Sequence, residues 1–205
     1  MAKLHFFYAV MNAGKSTALL LANHNYTVNG SRTLLFTSSI DNRSGVGKIS
    51  SRLGLSADAT AISEVDNVFE MVRDEHRKNP VQAVFMDEIQ FMTSDHIRQA
   101  SDIVDILNIP VMAYGLKNNS QGELFSPSVA TMLALADKLA EQKQTCHCGR
   151  KANMILRYDP DGTIIRSGPV VEVGAENRYV SVCRKHFKDG NIGPYAASRL
   201  KLWAA

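Results

Sequence analysis

Apolar and polar residues alternate along the first two-thirds of the chain in segments that predict strands followed by helices. Short apolar runs favour strands, and apolar side chains that recur every three or four residues favour helices. The predicted strands cover residues 3–10, 33–37, 81–87 and 109–115, and the predicted helices cover 15–28, 64–78, 94–107 and 127–136. Strands that alternate with helices favour a parallel sheet covered on both faces. The pattern therefore predicts an α/β core.

Three local features refine this picture. Ser63 is predicted to cap the helix over 64–78, and residues 38–52 are so rich in serine and glycine that a loop without packing is predicted. Beyond about residue 138 the pattern changes to short strands joined by turns, with a hairpin turn at Asp161-Gly162. We therefore expect an α/β core over residues 1–140, a small lobe over 141–191 and a tail over 192–205.

The composition is that of a globular protein, with 45% hydrophobic and 21% charged residues among 205. The apolar run near the N-terminus is too short for a secretory signal, and no later run is long and uncharged enough to cross a bilayer. These features predict a cytoplasmic protein without a membrane partner.

Charge is distributed unevenly along the chain. Residues 1–137 carry 11 Lys/Arg and 14 Asp/Glu, a net charge of −3, whereas residues 138–205 carry 12 and 6, a net charge of +6. A basic segment can bind nucleic acid, or it can offset the charge of bound phosphates or thiolates. Interleaved acids and the lack of a dense run of Lys and Arg favour the second alternative, so nucleic acid is not expected as a partner.

The segment YAVMNAGKST at residues 8–17 nearly matches the phosphate-loop pattern G-x-x-x-x-G-K-[ST]. Such a loop binds phosphate because backbone N–H groups converge at the start of a helix. Lys15 would neutralise phosphate charge and the Ser16 hydroxyl would ligate Mg²⁺. Ala9 replaces the first glycine, which costs nothing if it stays extended. A simple turn between strand and helix is the alternative. The predicted ATP-binding residues are Ala9, Val10, Met11, Asn12, Ala13, Gly14, Lys15 and Ser16.

A second acidic segment, AVFMDEIQF at residues 83–91, complements the phosphate loop. Asp87 follows four apolar residues, where a carboxylate would hold Mg²⁺ through water. Glu88 would accept a proton from the attacking nucleophile. The alternative is a pair of acids that faces solvent at the end of a strand. The two motifs leave open whether the nucleophile is water or a hydroxyl group.

The three cysteines lie in the basic part of the chain, where Cys146 and Cys148 precede Cys183 and His186. Two ligand pairs of this kind suit tetrahedral Zn²⁺, and a filled coordination sphere argues for a structural ion. The C-x-C spacing is tighter than usual, and His147 is a competing ligand. Thiols without metal are the alternative, and an odd cysteine count argues against a disulfide framework.

Seven segments, taken together and in order over residues 3–188, resemble the zinc-containing type II thymidine kinases of bacteria and their phages. They are MNAGKST, IDNRSGVGKISSRLGLS, MDEIQF, AYGL, LADKL, CHCGRKA and RYVSVCRKH. The resemblance implies a RecA-like core and ATP-dependent phosphorylation of the thymidine 5′-hydroxyl in nucleoside salvage. It also implies a homotetramer and feedback inhibition by thymidine triphosphate.

The resemblance also implies roles for individual residues. Glu88 would be the proton acceptor, and the zinc ligands would be Cys146, Cys148, Cys183 and His186. The segment Asp87, Glu88, Ile89 and Gln90 would join the phosphate loop in binding ATP. The nucleoside would lie under a loop of the lobe at residues 170–179. The residues implied to bind substrate are Met11, Asp41, Arg43, Phe91, Leu116, Ser120, Val170, Val171, Glu172, Val173, Gly174 and Tyr179.

Two positions depart from the pattern of the family. Ser120 follows Asn118-Asn119 where relatives carry an aspartate and then a phenylalanine, which removes an aromatic surface expected against the base. Ala175 replaces the second of two glycines in the nucleoside loop. Two other functions compete with the kinase: a RecA-like ATPase stimulated by nucleic acid, and an inactive nucleotide-binding module. The short core disfavours the first, and the intact set of Lys15 and the acids disfavours the second.

Overall fold

The computed structural model describes residues 1–41, 45–169, 178–194 and 196. The chain divides into two compact units, each built from several segments. Unit 1 comprises Met1–Tyr8, Gly14–Gly115 and Ser126–Glu141. Unit 2 comprises Ala9–Ala13, Leu116–Phe125 and Gln142–Ala205.

A six-stranded parallel sheet organises unit 1, with the strand order β5-β2-β6-β7-β1-β8. The strands of the unit are β1 (Leu4–Ala9), β2 (Thr33–Ser38), β3 (Lys48–Ser50), β4 (Ser56–Asp58), β5 (Thr60–Ile62), β6 (Ala83–Met86), β7 (Val111–Leu116) and β8 (Lys138–Glu141). Every residue of β6 and β7 is buried, as expected for strands covered on both faces. The predicted α/β core with a parallel sheet is confirmed.

Four helices accompany the sheet: α1 (Lys15–Val28), α2 (Val68–Lys78), α3 (Ser94–Leu107) and α4 (Pro127–Leu135). The predicted start of α2 at residue 64 is wrong. The Asp66 carboxylate accepts hydrogen bonds from the N–H and hydroxyl of Ser63, which closes a turn there. Asn67 then caps the helix by accepting from the N–H of Glu70 at 3.0 Å. No helix in the described ranges is long and apolar enough to cross a membrane.

Part of the predicted loop over residues 38–52 forms an ordered hairpin instead. β3 and β4 pair antiparallel, with Ile49 opposite Ala57. Ile49 is buried against Leu19, Leu20 and Phe85. The serine-rich and glycine-rich composition of residues 38–52 gave no sign of this hairpin. Burial of the Ile49 side chain against the larger core stabilises the short strand pair.

Unit 2 is built from short antiparallel strands and a six-residue helix. Its elements are β9 (Gln144–Thr145), β10 (Lys151–Ala152), β11 (Met154–Tyr158), β12 (Ile164–Ile165), β13 (Tyr179–Val182) and α5 (Arg184–Asp189). β12, β11 and β13 form one sheet, and β9 pairs with β10. The predicted hairpin turn is confirmed, because β11 and β12 pair antiparallel around Asp161-Gly162. A compact apolar cluster that includes Ile155, Leu156 and Val182 forms the core.

Candidate active site and metal centre

The predicted phosphate loop is a sharp turn between β1 and α1. Ala9 is the last residue of β1 and is buried, so it keeps the extended conformation that needs no glycine. Asn12 and Gly14 adopt left-handed conformations with φ of 63° and 77°. Gly14 stands directly before Lys15, the first residue of α1. The required glycine is therefore at position 14, which explains how the motif tolerates Ala9.

Side chains from two elements meet beside the start of α1. The Ser16 hydroxyl in the first turn of α1 donates to Asp87 Oδ2 at 2.8 Å, directly after β6. Lys15 is only 8% exposed, so its charge is weakly screened. Burial and the neighbouring Glu88 raise the pKa of Asp87 to about 7, and the hydrogen bond from Ser16 and the charge of Lys15 only partly oppose this shift. An oxygen-lined site of this kind suits Mg²⁺, which would favour the ionised carboxylate.

Glu88 has an unusual backbone for a residue with a side chain. Its φ and ψ are 53° and 42°, in the left-handed region. It is buried, and its N–H donates to Asp87 Oδ1 at 3.0 Å. A short 3-10 turn (Ile89–Phe91) follows, and within it the Gln90 amide donates to the Glu88 carboxylate. Left-handed residues of this kind cost about 1–3 kcal/mol and cluster at functional sites.

The four predicted zinc ligands converge in unit 2. The donor atoms of Cys146, Cys148, Cys183 and His186 all lie within 4.8 Å of one another. Cys148 Sγ lies 3.9 Å from Cys183 Sγ, and Cys146 Sγ lies 3.3 Å from His186 Nδ1. In a tetrahedral site with Zn–S bonds of about 2.3 Å, two sulfur ligands lie about 3.8 Å apart. The donor set and its spacing therefore fit a structural Zn²⁺.

Two thiols of this cluster differ in their tendency to ionise. Burial raises the pKa of Cys146, whereas the backbone N–H of His186 favours the thiolate and lowers the pKa of Cys183. His147, the competing ligand, lies outside the set: its ring stacks on His186 with centroids 4.2 Å apart. A Cβ at Gly193 would meet the His147 ring at 2.5 Å, so Gly193 lies directly against it. His147 packs beside the cluster as a neighbour of a ligand.

Among the predicted substrate residues that the structure describes, four belong to unit 2. Met11, Leu116 and Tyr179 contact the same apolar cluster, Leu116 as a buried member. Ser120 is buried in a turn in which Asn119 Oδ1 accepts from the N–H groups of Gln121 and Glu123. The Arg157 guanidinium lies 5.9 Å from the centre of the Tyr179 ring, within range of a cation–π interaction.

The other predicted substrate residues are in unit 1 or lie outside the described part of the chain. Phe91 ends the 3-10 turn after Glu88, and the N–H of Asp41 donates to the carbonyl of Ser38. Outside the described residues lie Arg43, Val170, Val171, Glu172, Val173 and Gly174.

Several residues near the site were absent from the predictions. Ser181 Oγ donates to the carbonyl of Met11 at 2.7 Å, and Gln144 Nε2 donates to that of Asn12 at 2.6 Å. These side chains brace the first half of the phosphate loop, and no local motif marks them. Gly115 packs against the turn after Glu88, as described below. A glycine inside an apolar strand signals close approach, so the sequence offered a clue to Gly115.

Comparison with known proteins gives one consistent family. A family model described as thymidine kinase matches residues 2–187. A relative named thymidine kinase from Shewanella oneidensis is 49% identical over 189 residues, which cover 92% of this chain and 98% of the relative. Relatives with the same name from Agrobacterium fabrum and Ruegeria pomeroyi are 49% and 48% identical, and the matches cover 91% and 96% of this chain and 96% and 98% of the relatives.

Proposed function

The chain belongs to the thymidine kinase family, and on that premise we propose how its residues transfer a phosphoryl group from ATP to thymidine. The observation that carries the proposal is the contact of Ser16 with Asp87 beside buried Lys15 and Glu88. These four groups supply a phosphate-binding cation, two oxygen ligands and a base. Phosphoryl transfer needs this combination, because its catalysis rests on positioning and charge stabilisation.

ATP binds at the phosphate loop, where backbone N–H groups at the start of α1 face the phosphates. The loop residues are Ala9, Val10, Met11, Asn12, Ala13, Gly14, Lys15 and Ser16. Lys15 reduces the negative charge of the β- and γ-phosphates. Ser16 and Asp87 would hold Mg²⁺, which would supply further charge neutralisation. Ile89 and Gln90 complete the second ATP segment.

Glu88 acts as the proton acceptor. The 5′-oxygen of thymidine forms a bond to the γ-phosphorus, and the bond from that phosphorus to the bridging oxygen of ADP breaks. The hydroxyl proton passes to the Glu88 carboxylate, which later releases it to solvent. The products are thymidine monophosphate and ADP. The left-handed backbone of Glu88 supports this role, because residues held in such conformations cluster at functional sites.

The nucleoside contacts are the proposal that rests most on family resemblance. In unit 2 we assign Met11, Leu116, Ser120 and Tyr179 to thymidine, and the cluster that Met11, Leu116 and Tyr179 share supports a common role. Asp41 and Phe91 in unit 1, and the residues 43 and 170–174, are assigned by their position in the family motifs. The lobe over residues 141–191 is assigned to the nucleoside, and the core over residues 1–140 is assigned to ATP.

Zn²⁺ is the proposed structural ion of the Cys146, Cys148, Cys183 and His186 cluster. Its four ligands are all protein groups, so we assign it no part in the chemistry. Cytoplasmic salvage of thymidine, assembly as a homotetramer and feedback inhibition by thymidine triphosphate are further proposals that follow from membership of the family. The rival functions, a motor ATPase and an inactive module, are not favoured.

One assay tests the function directly. ADP production is measured with thymidine, with deoxycytidine, with single-stranded DNA and with no acceptor. We expect turnover that depends on thymidine and yields equal amounts of thymidine monophosphate and ADP. ATP hydrolysis without thymidine that DNA stimulates would instead identify a motor, and ATP binding without any turnover would identify an inactive module.

A further inference from the structure

Gly115 differs from every other glycine in the described part of the chain. The other described glycines all have φ between 68° and 96°, in the region that disfavours side chains. Gly115, inside β7, has no such angle. A glycine destabilises a strand relative to alanine when its backbone freedom is unused. The property of Gly115 that matters is therefore that it has no side chain.

Two side chains occupy the space that a side chain at position 115 would fill. A Cβ at position 115 would lie 2.8 Å from Gln90 Oε1 and 2.8 Å from Ile89 Cγ1. Ile89 is 0% exposed and Gln90 is 2% exposed, so neither has open solvent into which it could move. An alanine at position 115 would therefore displace both residues of the turn that follows Glu88.

The Gln90 side chain connects this contact to Glu88. Its Nε2 donates to Glu88 Oε2 while its Oε1 lies against Gly115. The backbone of the turn is fixed from another element, because Ser128 Oγ in α4 donates to the Ile89 carbonyl at 2.9 Å. The N–H of Phe91 donates to the Glu88 carbonyl at 3.0 Å. The amide of Gln90 thus orients a carboxylate whose backbone is already fixed.

We propose that Gln90 and Gly115 are positioning residues for Glu88, Gln90 through its hydrogen bond and Gly115 through the space that it leaves for Gln90. This inference rests on the proposed role of Glu88 as proton acceptor. It assigns the Gln90 side chain to the base, so that the place of Gln90 in the ATP segment rests on its backbone. Misplacement of a reacting group by about 1 Å can cost about 10²-fold in rate, so a loosened carboxylate has a measurable effect.

A double-mutant cycle on the full-length protein tests the proposal. The variants are Gln90→Met, which keeps the length of the side chain and removes the donor, Gly115→Ala, and the two combined. We expect each single variant to lower kcat by about 10- to 100-fold, with KM for ATP and for thymidine within about twofold of the parent. Because both changes act on the contact of Gln90 with Glu88, and Gly115→Ala also displaces Ile89, the loss in the double variant should be smaller than the product of the two single losses.

Control measurements separate positioning from loss of fold. Gly30→Ala places a methyl group where nothing lies within 4 Å, at a left-handed position, and should lower stability without lowering kcat. Urea unfolding of all variants at the assay temperature shows whether each is folded under the conditions of the assay. If Gly115→Ala does not fold, Gln90→Met alone decides.

Two results would overturn the inference. A Gln90→Met enzyme with the parent kcat would show that the amide does not orient the base. Losses that multiply in the double variant would show that Gly115 acts independently of Gln90. Glu88→Gln is measured in parallel: a normal kcat in that variant would refute the proposed base itself, whereas a slow Glu88→Gln beside a normal Gln90→Met refutes only the positioning role.

Discussion

In unit 1 the residues assigned to catalysis stand at the ends of buried strands, whereas in unit 2 the metal ligands come from two short segments beside small strands. Asp87 and Glu88 follow β6, whose four residues are all buried in the parallel sheet. Cys183 and His186, by contrast, belong to the region of the six-residue helix α5. Packing of the sheet fixes the positions of Asp87 and Glu88 after β6, while the second site brings three sulfur atoms together in a donor set that fits Zn²⁺.

This difference predicts two kinds of failure. A substitution in the unit 1 site should slow catalysis without unfolding the protein, because the strands of the sheet stay packed. A substitution in the metal-ligand cluster of unit 2 should first disorder the structure around the cluster. The affinity of the protein for thymidine should fall as a result. The following predictions test this distinction, beginning with the largest expected effect.

Glu88→Gln should lower kcat by about 10²–10⁴-fold, the usual contribution of a general base. The amide keeps the size of the side chain but cannot accept the 5′-hydroxyl proton. Binding of ATP and thymidine, measured by calorimetry, should be unchanged, and so should the unfolding midpoint. Asp87→Asn provides the contrast, because it should weaken Mg²⁺·ATP binding. Parent-like turnover in Glu88→Gln would direct attention to Asp41 as the base.

Lys15→Ala should lower kcat/KM by about 10²–10³-fold, the typical cost of removing one charge-stabilising donor. Lys15 contributes charge to the transferring group, so the far-ultraviolet circular dichroism should stay that of the parent. Steady-state kinetics with varied ATP measures the effect. Near-normal turnover would mean that residues 11–16 form a turn without a phosphate-binding role.

Cys183→Ala should remove zinc and raise the Kd for thymidine by about tenfold or more, since structural zinc in small domains contributes about 10–16 kcal/mol of apparent binding energy to folding. ATP binding should survive. His147→Ala is the matched control, because His147 lies outside the set of four ligands: its ring stacks on His186 and its Nδ1 lies 3.7 Å from Cys146 Sγ. The zinc content of this variant should equal that of the parent. Metal analysis with calorimetry measures both. Full thymidine affinity in a zinc-free Cys183→Ala protein would contradict the distinction between the two sites.

Ala9→Gly should have the smallest effect, although it restores the consensus phosphate loop. Ala9 is extended and buried at the end of β1, so a glycine gains no needed freedom there. We expect kcat/KM within about twofold of the parent, and a loss of about 0.5–1 kcal/mol in the free energy of unfolding. Kinetics and urea unfolding measure the two effects. A large gain in activity would show that the loop is strained at Ala9.

The sequence predicted those parts of the site that lie close together along the chain. The phosphate loop and the pair Asp87-Glu88 are local motifs that follow apolar strands, and the structure brings Ser16 and Asp87 into contact. The left-handed backbone of Glu88 and the space beside Gly115 depend on contacts between different strands and turns. No pattern within one segment specifies such contacts, so they needed the structure. The buried Ile49 was missed for a similar reason, because one apolar residue gives no periodicity.

The side chains that support the phosphate loop are synthesised long after the loop itself. Met11 is held by a residue 170 positions later and Asn12 by one 132 positions later. β1 pairs with β8, whose residues emerge from the ribosome long afterwards. At the usual rate of translation, about 5–20 residues per second, these partners are synthesised on the order of ten seconds after the first strand. A nascent chain released before Ser181 would carry the whole nucleotide motif in its sequence, yet lack the contacts that shape the motif for use.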